Sequence, residues 1–179
     1  SLVTALPATD VLCRQLSLPV TKDREIEAVR DFQVEPLLPF PIEEAVLDHQ
    51  VIFKNKQGAR LSVVVCRKER LQHHLQKIPF ESARVSSIPS ALAATVTGSG
   101  CEAILHLGEE SATFVVAVEG MLLAMRSLAF EAGQQLLPVF ALEVAQTVCA
   151  MQEHGHPLSC LSLCGEVGSD LPSILEETT

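Results

Sequence analysis

A few groups of residues in this chain have types that can do chemistry. The first is a turn. Residues 101–127 read CEAILHLGEESATFVVAVEGMLLAMRS, a strand–turn–strand–turn–strand pattern whose first turn is Gly108-Glu109-Glu110-Ser111. Glycine turns at strand ends can aim backbone N–H groups at a phosphate or ribose, and Gly165-Glu166-Val167-Gly168 follows a later strand in the same way. Neither G-x-x-x-x-G-K-[ST] nor G-x-G-x-x-G occurs, and turns need glycine in any case. Two carboxylates at a phosphate position repel it, by about 1 kcal/mol per unit-charge pair at ~4 Å in water and by more when desolvated. No Lys or Arg stands in the turn to offset them.

The second group is His154, His156, Cys160 and Cys164, all zinc-donor types. Their H-x-H-x3-C-x3-C spacing fits no common structural zinc pattern. On a strand the two thiols share a face but lie about 13 Å apart, so they cannot both reach one tetrahedral ion. Helix-end histidines and buried strand thiols are the plainer reading. Ser99 sits between Gly98 and Gly100 with no G-x-S-x-G or Cys–His signature around it, and reads as linker. The doublets Glu43-Glu44, Glu109-Glu110 and Glu176-Glu177 do not converge, because strand neighbours point to opposite faces. They read as solvated surface.

Elements must position these groups. Residues 1–6 and 11–18 read as short strands about a turn at Pro7-Ala8-Thr9-Asp10. Thr21 is the expected N-cap of a helix over 22–35, with Asp23 and Glu25 in its first turn and Ile26, Val29 and Phe32 on its apolar face. Pro36, Pro39 and Pro41 end it and predict an extended connector. Residues 45–53 and 59–66 form strands about the turn Asn55-Lys56-Gln57-Gly58. A helix over 67–78 carries Leu71, Leu75 and Ile78 on one face and leaves His73 and His74 in solvent. A short strand at 84–87 leads to a helix opened by Pro89. Thr97-Gly98-Ser99-Gly100 is the expected lobe boundary, giving lobes 1–97 and 98–179. Strands at 101–107, 112–118 and 121–130 follow, then a helix over 134–153 with Phe140, Val144, Val148 and Met151 as its buried stripe. A strand at 158–164 and a short helix at 171–177 close the chain.

The 179 residues suffice for one domain or two small lobes. Apolar residues make up 47%, aromatics only 4% with no Trp or Tyr, so Leu, Val, Ile and Ala must fill the core. A net charge of −9 without a basic stripe argues against nucleic acid, as does the lack of aromatic stacking platforms. No apolar run approaches the ~20 residues of a membrane span, and no signal peptide opens the chain. The expectation is a soluble intracellular protein, its six cysteines reduced, with Ser1 a processing boundary.

Val34 to Ile52, VEPLLPFPIEEAVLDHQVI, resembles the type IV pilus assembly protein PilM family, and more distantly the cytoplasmic domain of the type II secretion protein GspL. The shared features are Pro39-Phe40-Pro41-Ile42-Glu43-Glu44 after a helix, then a strand with Leu47-Asp48-His49-Gln50. TALPATDVLCRQLSLP and VVVCRKERLQHHL resemble the preceding strand pair and the following strand-into-helix step, and the order of elements agrees from about residue 1 to residue 177. The resemblance implies an actin-like, ribonuclease-H-type α/β fold of mixed sheets with helices. In such folds ATP sits between two lobes. Here the first phosphate loop would precede the chain, and the second reads His106-Leu107-Gly108-Glu109-Glu110-Ser111-Ala112, with His for the metal-side Asp.

The resemblance makes Gly108, Glu109, Ser111, Gly165 and Gly168 a degenerate nucleotide site, with no cofactor expected. It implies a non-enzymatic scaffold in the inner-membrane assembly platform of a type IV pilus or type II secretion system. The implied partner is a cytoplasmic peptide of a PilN-like or GspL/GspM-like membrane protein, with the secretion ATPase a further partner. No nucleic acid is expected, and membrane contact is only through partners. Pro39, Phe40, Pro41, Ile42 and Asp48 are the expected docking residues, because prolines pre-fix an extended backbone and lower the ordering cost of binding. The alternatives are an ATP-binding actin-like protein whose first phosphate loop lies outside this chain, and a zinc-binding domain.

Overall fold

The computed structural model describes residues 3–79, 84–109, 111–129 and 137–165. The chain divides into two compact units, residues 1–91 and 92–179.

In the first unit β1 (Val3–Leu6) pairs in parallel with β5 (Arg84–Ser87). A second sheet runs in the order β2-β4-β3, all antiparallel, from β2 (Val11–Leu18), β4 (Gly58–Arg67) and β3 (Ala45–Asn55). The strands on either side of Pro7 therefore do not pair with each other; a 3-10 turn at Ala8–Asp10 sends them into different sheets. The β3–β4 hairpin closes as expected, with Asn55 Oδ1 accepting from the amides of Gln57 (2.7 Å) and Gly58 (3.2 Å).

Helix α1 (Asp23–Val34) packs against β2 and covers one face of this sheet. Its N-cap is Lys22, without a side-chain cap, rather than Thr21. Ile26 and Val34 are fully buried, but Phe32 is 75% exposed. Steps of three residues drift by about 60° per step on a 3.6-residue helix, so Phe32 rotates off the buried face while Val34, eight residues on from Ile26, returns to it. The expected extended connector is instead two 3-10 turns, Glu35–Leu37 and Ile42–Glu44, around Pro39 and Pro41. Pro36 is compatible with the first because its missing N–H lies in the opening turn. Leu61, Val63 and Val65 form the middle of the core, with Leu38, Phe40 and Ile42 of the connector packed against it.

Helix α2 (Lys68–Gln76) packs against β4 and has no fully buried residue. Leu75 on its expected apolar face is 39% exposed. His74 is half-buried rather than free in solvent, with Nε2 2.8 Å from Thr4 Oγ1 of β1. Helix α3 (Ile88–Ala93) follows β5, with Pro89 in its first turn and Ser87 Oγ accepting from the Ser90 amide.

The second unit holds a four-stranded sheet in the order β8-β7-β6-β9, made by β6 (Cys101–Leu107), β7 (Ser111–Val118), β8 (Met121–Ala129) and β9 (Leu158–Gly165). The first three strands are an antiparallel meander. Glu119 and Gly120 join β7 to β8 with φ of 49° and 78°, the left-handed pair that a two-residue hairpin of matching twist requires. Helix α4 (Leu137–Glu153) packs on β8 and β9 and returns the chain so that β9 lies parallel to β6. Phe140 and Val144 are buried as expected, joined by Thr147, whose hydroxyl donates to the Glu143 carbonyl at 2.8 Å. Phe114, Val115, Val116 and Leu122 are fully buried in this unit.

Candidate functional site

The glycine turns come first. Leu107 and Gly165 are register partners in the parallel β6–β9 pair, so the Gly108 turn and the end of β9 lie at the same end of the sheet. The sequence places these two turns 57 residues apart, and the crossover through α4 brings them together. The Gly108 N–H is already used: it donates to the Ser111 carbonyl at 2.9 Å. Glu109 is exposed at the tip. His106 is half-buried, and its Nδ1 has no hydrogen-bond partner among the described residues. Among the described residues, these groups do not suit a triphosphate. The glycine amide is spent on the turn, a carboxylate faces outward, and no cation among the described turn residues offsets it. Glu110, Glu166, Val167 and Gly168 lie outside the described residues.

The zinc-donor group does not assemble. Among the described residues no cluster of three or more His, Cys, Asp or Glu could hold a metal ion. Cys160 is exposed rather than a buried thiol, its Sγ 3.6 Å from Glu102 Oε2, and His154 Nδ1 lies 2.6 Å from the Ala150 carbonyl at the helix end. Glu43, Glu44 and Glu109 are exposed, as read from the sequence; Glu176 and Glu177 lie outside the described residues.

The connector between α1 and β3 forms the better-built site. A cavity of about 270 Å³ opens beside it in the first unit. Thr9 and Asp10 of the 3-10 turn, with Val11 and Leu12 at the start of β2, supply one wall; Pro39 and Phe40 supply another; Val65, Arg67, Glu69 and Arg70 complete it from β4 and α2. Val65 is fully buried and Val11 is 4% exposed, so the floor is apolar. The rim carries two cations and two carboxylates. Arg70 Nε lies 3.7 Å from Asp10 Oδ1, and the Arg67 guanidinium carbon stands 4.6 Å from the Phe40 ring centroid. Of the expected docking residues, Pro39 and Phe40 line the cavity and Ile42 packs against the core beneath the connector, while Pro41 is exposed and is not among the cavity's lining residues. Asp48 is elsewhere. It alternates with Leu47, the partner of Val65, and so projects from the opposite face of the sheet, where its Oδ1 accepts the His49 N–H at 2.8 Å. Sequence reasoning missed Asp10, Arg67 and Arg70. Arg67-Lys68-Glu69-Arg70 is a short charged run at a helix start, and nothing in it signals that Phe40 comes to it from 27 residues away.

The family model described as "Type IV pilus assembly protein PilM" matches residues 1–136. The chain belongs to the PilM family. Among solved structures, a PilM–PilN type IV pilus biogenesis complex is similar at 20% identity and a TM-score of 0.72, with 98% of this chain aligned to 66% of that one. The cytoplasmic domain of EpsL, an inner-membrane component of the type II secretion system of Vibrio cholerae, is similar at 15% identity and a TM-score of 0.58, covering 98% of this chain and 72% of that one. A Bacteroides thetaiotaomicron protein with an actin-like ATPase fold aligns at 12% identity and a TM-score of 0.47, over 98% of this chain and 63% of that one. No curated protein matches in sequence. The expected actin-like α/β fold is the observed one, and this PilM-family chain spans just under two thirds of the PilM chain it resembles. No helix among the described residues is long and apolar enough to cross a membrane.

Proposed function

We infer that this PilM-family chain is a non-enzymatic scaffold of an inner-membrane assembly platform, held on the cytoplasmic side by a peptide of a PilN-like membrane protein. The observation behind this reading is the cavity whose wall is Pro39 and Phe40. Its apolar floor and mixed-charge rim suit an extended segment that inserts one or two aliphatic side chains and leaves its polar backbone at the mouth. β2, whose first residues line the cavity, is an edge strand of its sheet, and an edge strand can take up an added strand through main-chain hydrogen bonds. The likeness to a protein solved as a PilM–PilN complex supports a partner of that kind. A secretion ATPase remains a further proposed partner.

The test is calorimetric titration of the chain with a synthetic peptide carrying the cytoplasmic segment of a PilN-like membrane protein from the same cell. Phe40→Ala is expected to weaken binding by about tenfold or more, the usual effect of truncating an aromatic wall at the centre of an interface. Asp48→Ala, on the opposite sheet face, is expected to leave it unchanged. Absence of binding by the wild-type chain sinks the reading.

A further inference from the structure

The Phe40 wall belongs to no sheet, so something must hold it in place. The described backbone hydrogen bonds of residues 35–44 are local: Leu38 N–H to Glu35 O at 3.1 Å, and Glu44 N–H to Pro41 O at 3.0 Å. Three cations reach this strap from regular elements. Arg14 Nε of β2 donates to the Leu37 carbonyl at 3.1 Å. Lys68 Nζ at the start of α2 donates to the Glu43 carbonyl at 2.6 Å. Arg67 at the end of β4 lies over the Phe40 ring, and its Nη1 is 3.7 Å from Glu44 Oε2. Arg14 and Lys68 grip the strap's backbone. Arg67 alone of the three also lines the cavity.

We propose that Arg67 is a positioning residue for the docking groove. Its guanidinium, engaged by Glu44, stacks on Phe40 and fixes the ring as a wall, which sets the width available to an incoming aliphatic side chain. A planar guanidinium suits this because it can stack on a ring while its edge pairs with a carboxylate. Leu38, Phe40 and Ile42 anchor the strap to the core independently, so loss of Arg67 loosens the wall without unfolding the unit. The inference rests on the docking reading, but the strap has a readout of its own.

That readout is amide hydrogen exchange of the full chain, followed at Phe40, Glu44 and Ala45, with Val63 in the buried β4 as control. Arg67→Ala is expected to speed exchange at the strap amides about three- to tenfold, with Val63 unchanged. Peptide affinity should fall by a similar factor. Arg67→Lys should recover part of both effects, because an ammonium keeps the charge but loses the planar stack. Asp48→Ala, on the opposite face of the sheet, should leave both unchanged. Unchanged strap exchange in Arg67→Ala overturns the proposal whether or not peptide binds. Faster exchange with undiminished affinity overturns it too. A wild-type chain that binds no peptide defeats the docking reading, and the hold on Phe40 then stands or falls on exchange alone.

Discussion

Gly165 stands against Leu107 across the parallel β6–β9 pair with φ of 93°, and any Cβ there would overlap the Leu107 carbonyl oxygen. The positive φ and the close approach each demand glycine. Gly165→Ala is therefore expected to destabilise the chain by about 1–3 kcal/mol. Gly108 at the same end of the sheet has no left-handed φ, and a Cβ there would meet Ser111 O at an ordinary 3.4 Å. Gly108→Ala should cost less than about 0.5 kcal/mol. Urea unfolding of both variants checks the contrast; equal losses would show that the β6–β9 end is not packed as described.

The two apolar ends of α1 should also separate. Ile26 is fully buried and Phe32 is 75% exposed. Ile26→Ala is expected to cost about 2–5 kcal/mol, and Phe32→Ala about 0.5 kcal/mol or less. A large loss from Phe32→Ala in denaturant titration would mean that the ring is covered.

Thiol reactivity should follow burial. Burial pushes the thiols of Cys66, Cys101 and Cys164 above the usual range, and nearby Asp10 adds to the effect at Cys66. A raised pKa leaves less thiolate at neutral pH, and thiolate is the reactive form. Cys149 and Cys160 are exposed and should react first with a disulfide reagent, faster than Cys66 and Cys101 by roughly tenfold or more. Mass spectrometry of partly labelled protein reads the order directly, and early labelling of Cys101 would contradict it.

Lys54 Nζ and Asp23 Oδ1 are 2.7 Å apart, joining β3 to the first turn of α1. The hydrogen bond from Lys54, then its charge, hold the Asp23 carboxyl below its ordinary 3.8, with His49 a smaller contributor against a slight burial effect. A carboxyl lowered in the folded state adds stability above its unfolded pKa, and that stability is lost as pH falls through the folded value. Lys54→Ala should return Asp23 toward 3.8 in an NMR titration. Because both groups are exposed, added salt should shrink the shift in the wild type as well. A shift that survives in Lys54→Ala would assign it to another cause.

Much of the architecture was legible because it is periodic. The alternation along β6–β8, the glycine at the β7–β8 turn and the Asn55–Gly58 hairpin each encode a local geometry that needs no distant partner. The α1 face was misjudged for a local reason too: a three-residue repeat looks apolar but spirals off the core. The cavity was half legible. Of the residues the sequence singles out for docking, Pro39 and Phe40 line it, whereas Asp48, near them in sequence, lies on the other face of its strand.

Among the described residues, the sequence by itself determined most of the strands and helices and the acidic chemistry of the Gly108 turn; the helix read at 171–177 lies outside the described residues. Only the tertiary structure decided that β1 joins β5 rather than β2, that the Gly165 end comes to the Gly108 turn, and that Arg67 meets Phe40. The reason is physical. Periodicity and turn chemistry act over a few residues and are written in side chains, but strand pairing is made by backbone N–H and C=O groups that are nearly the same at every position. Which partners those groups find is settled when the chain buries its apolar faces together, and side chains far apart in sequence become neighbours only then.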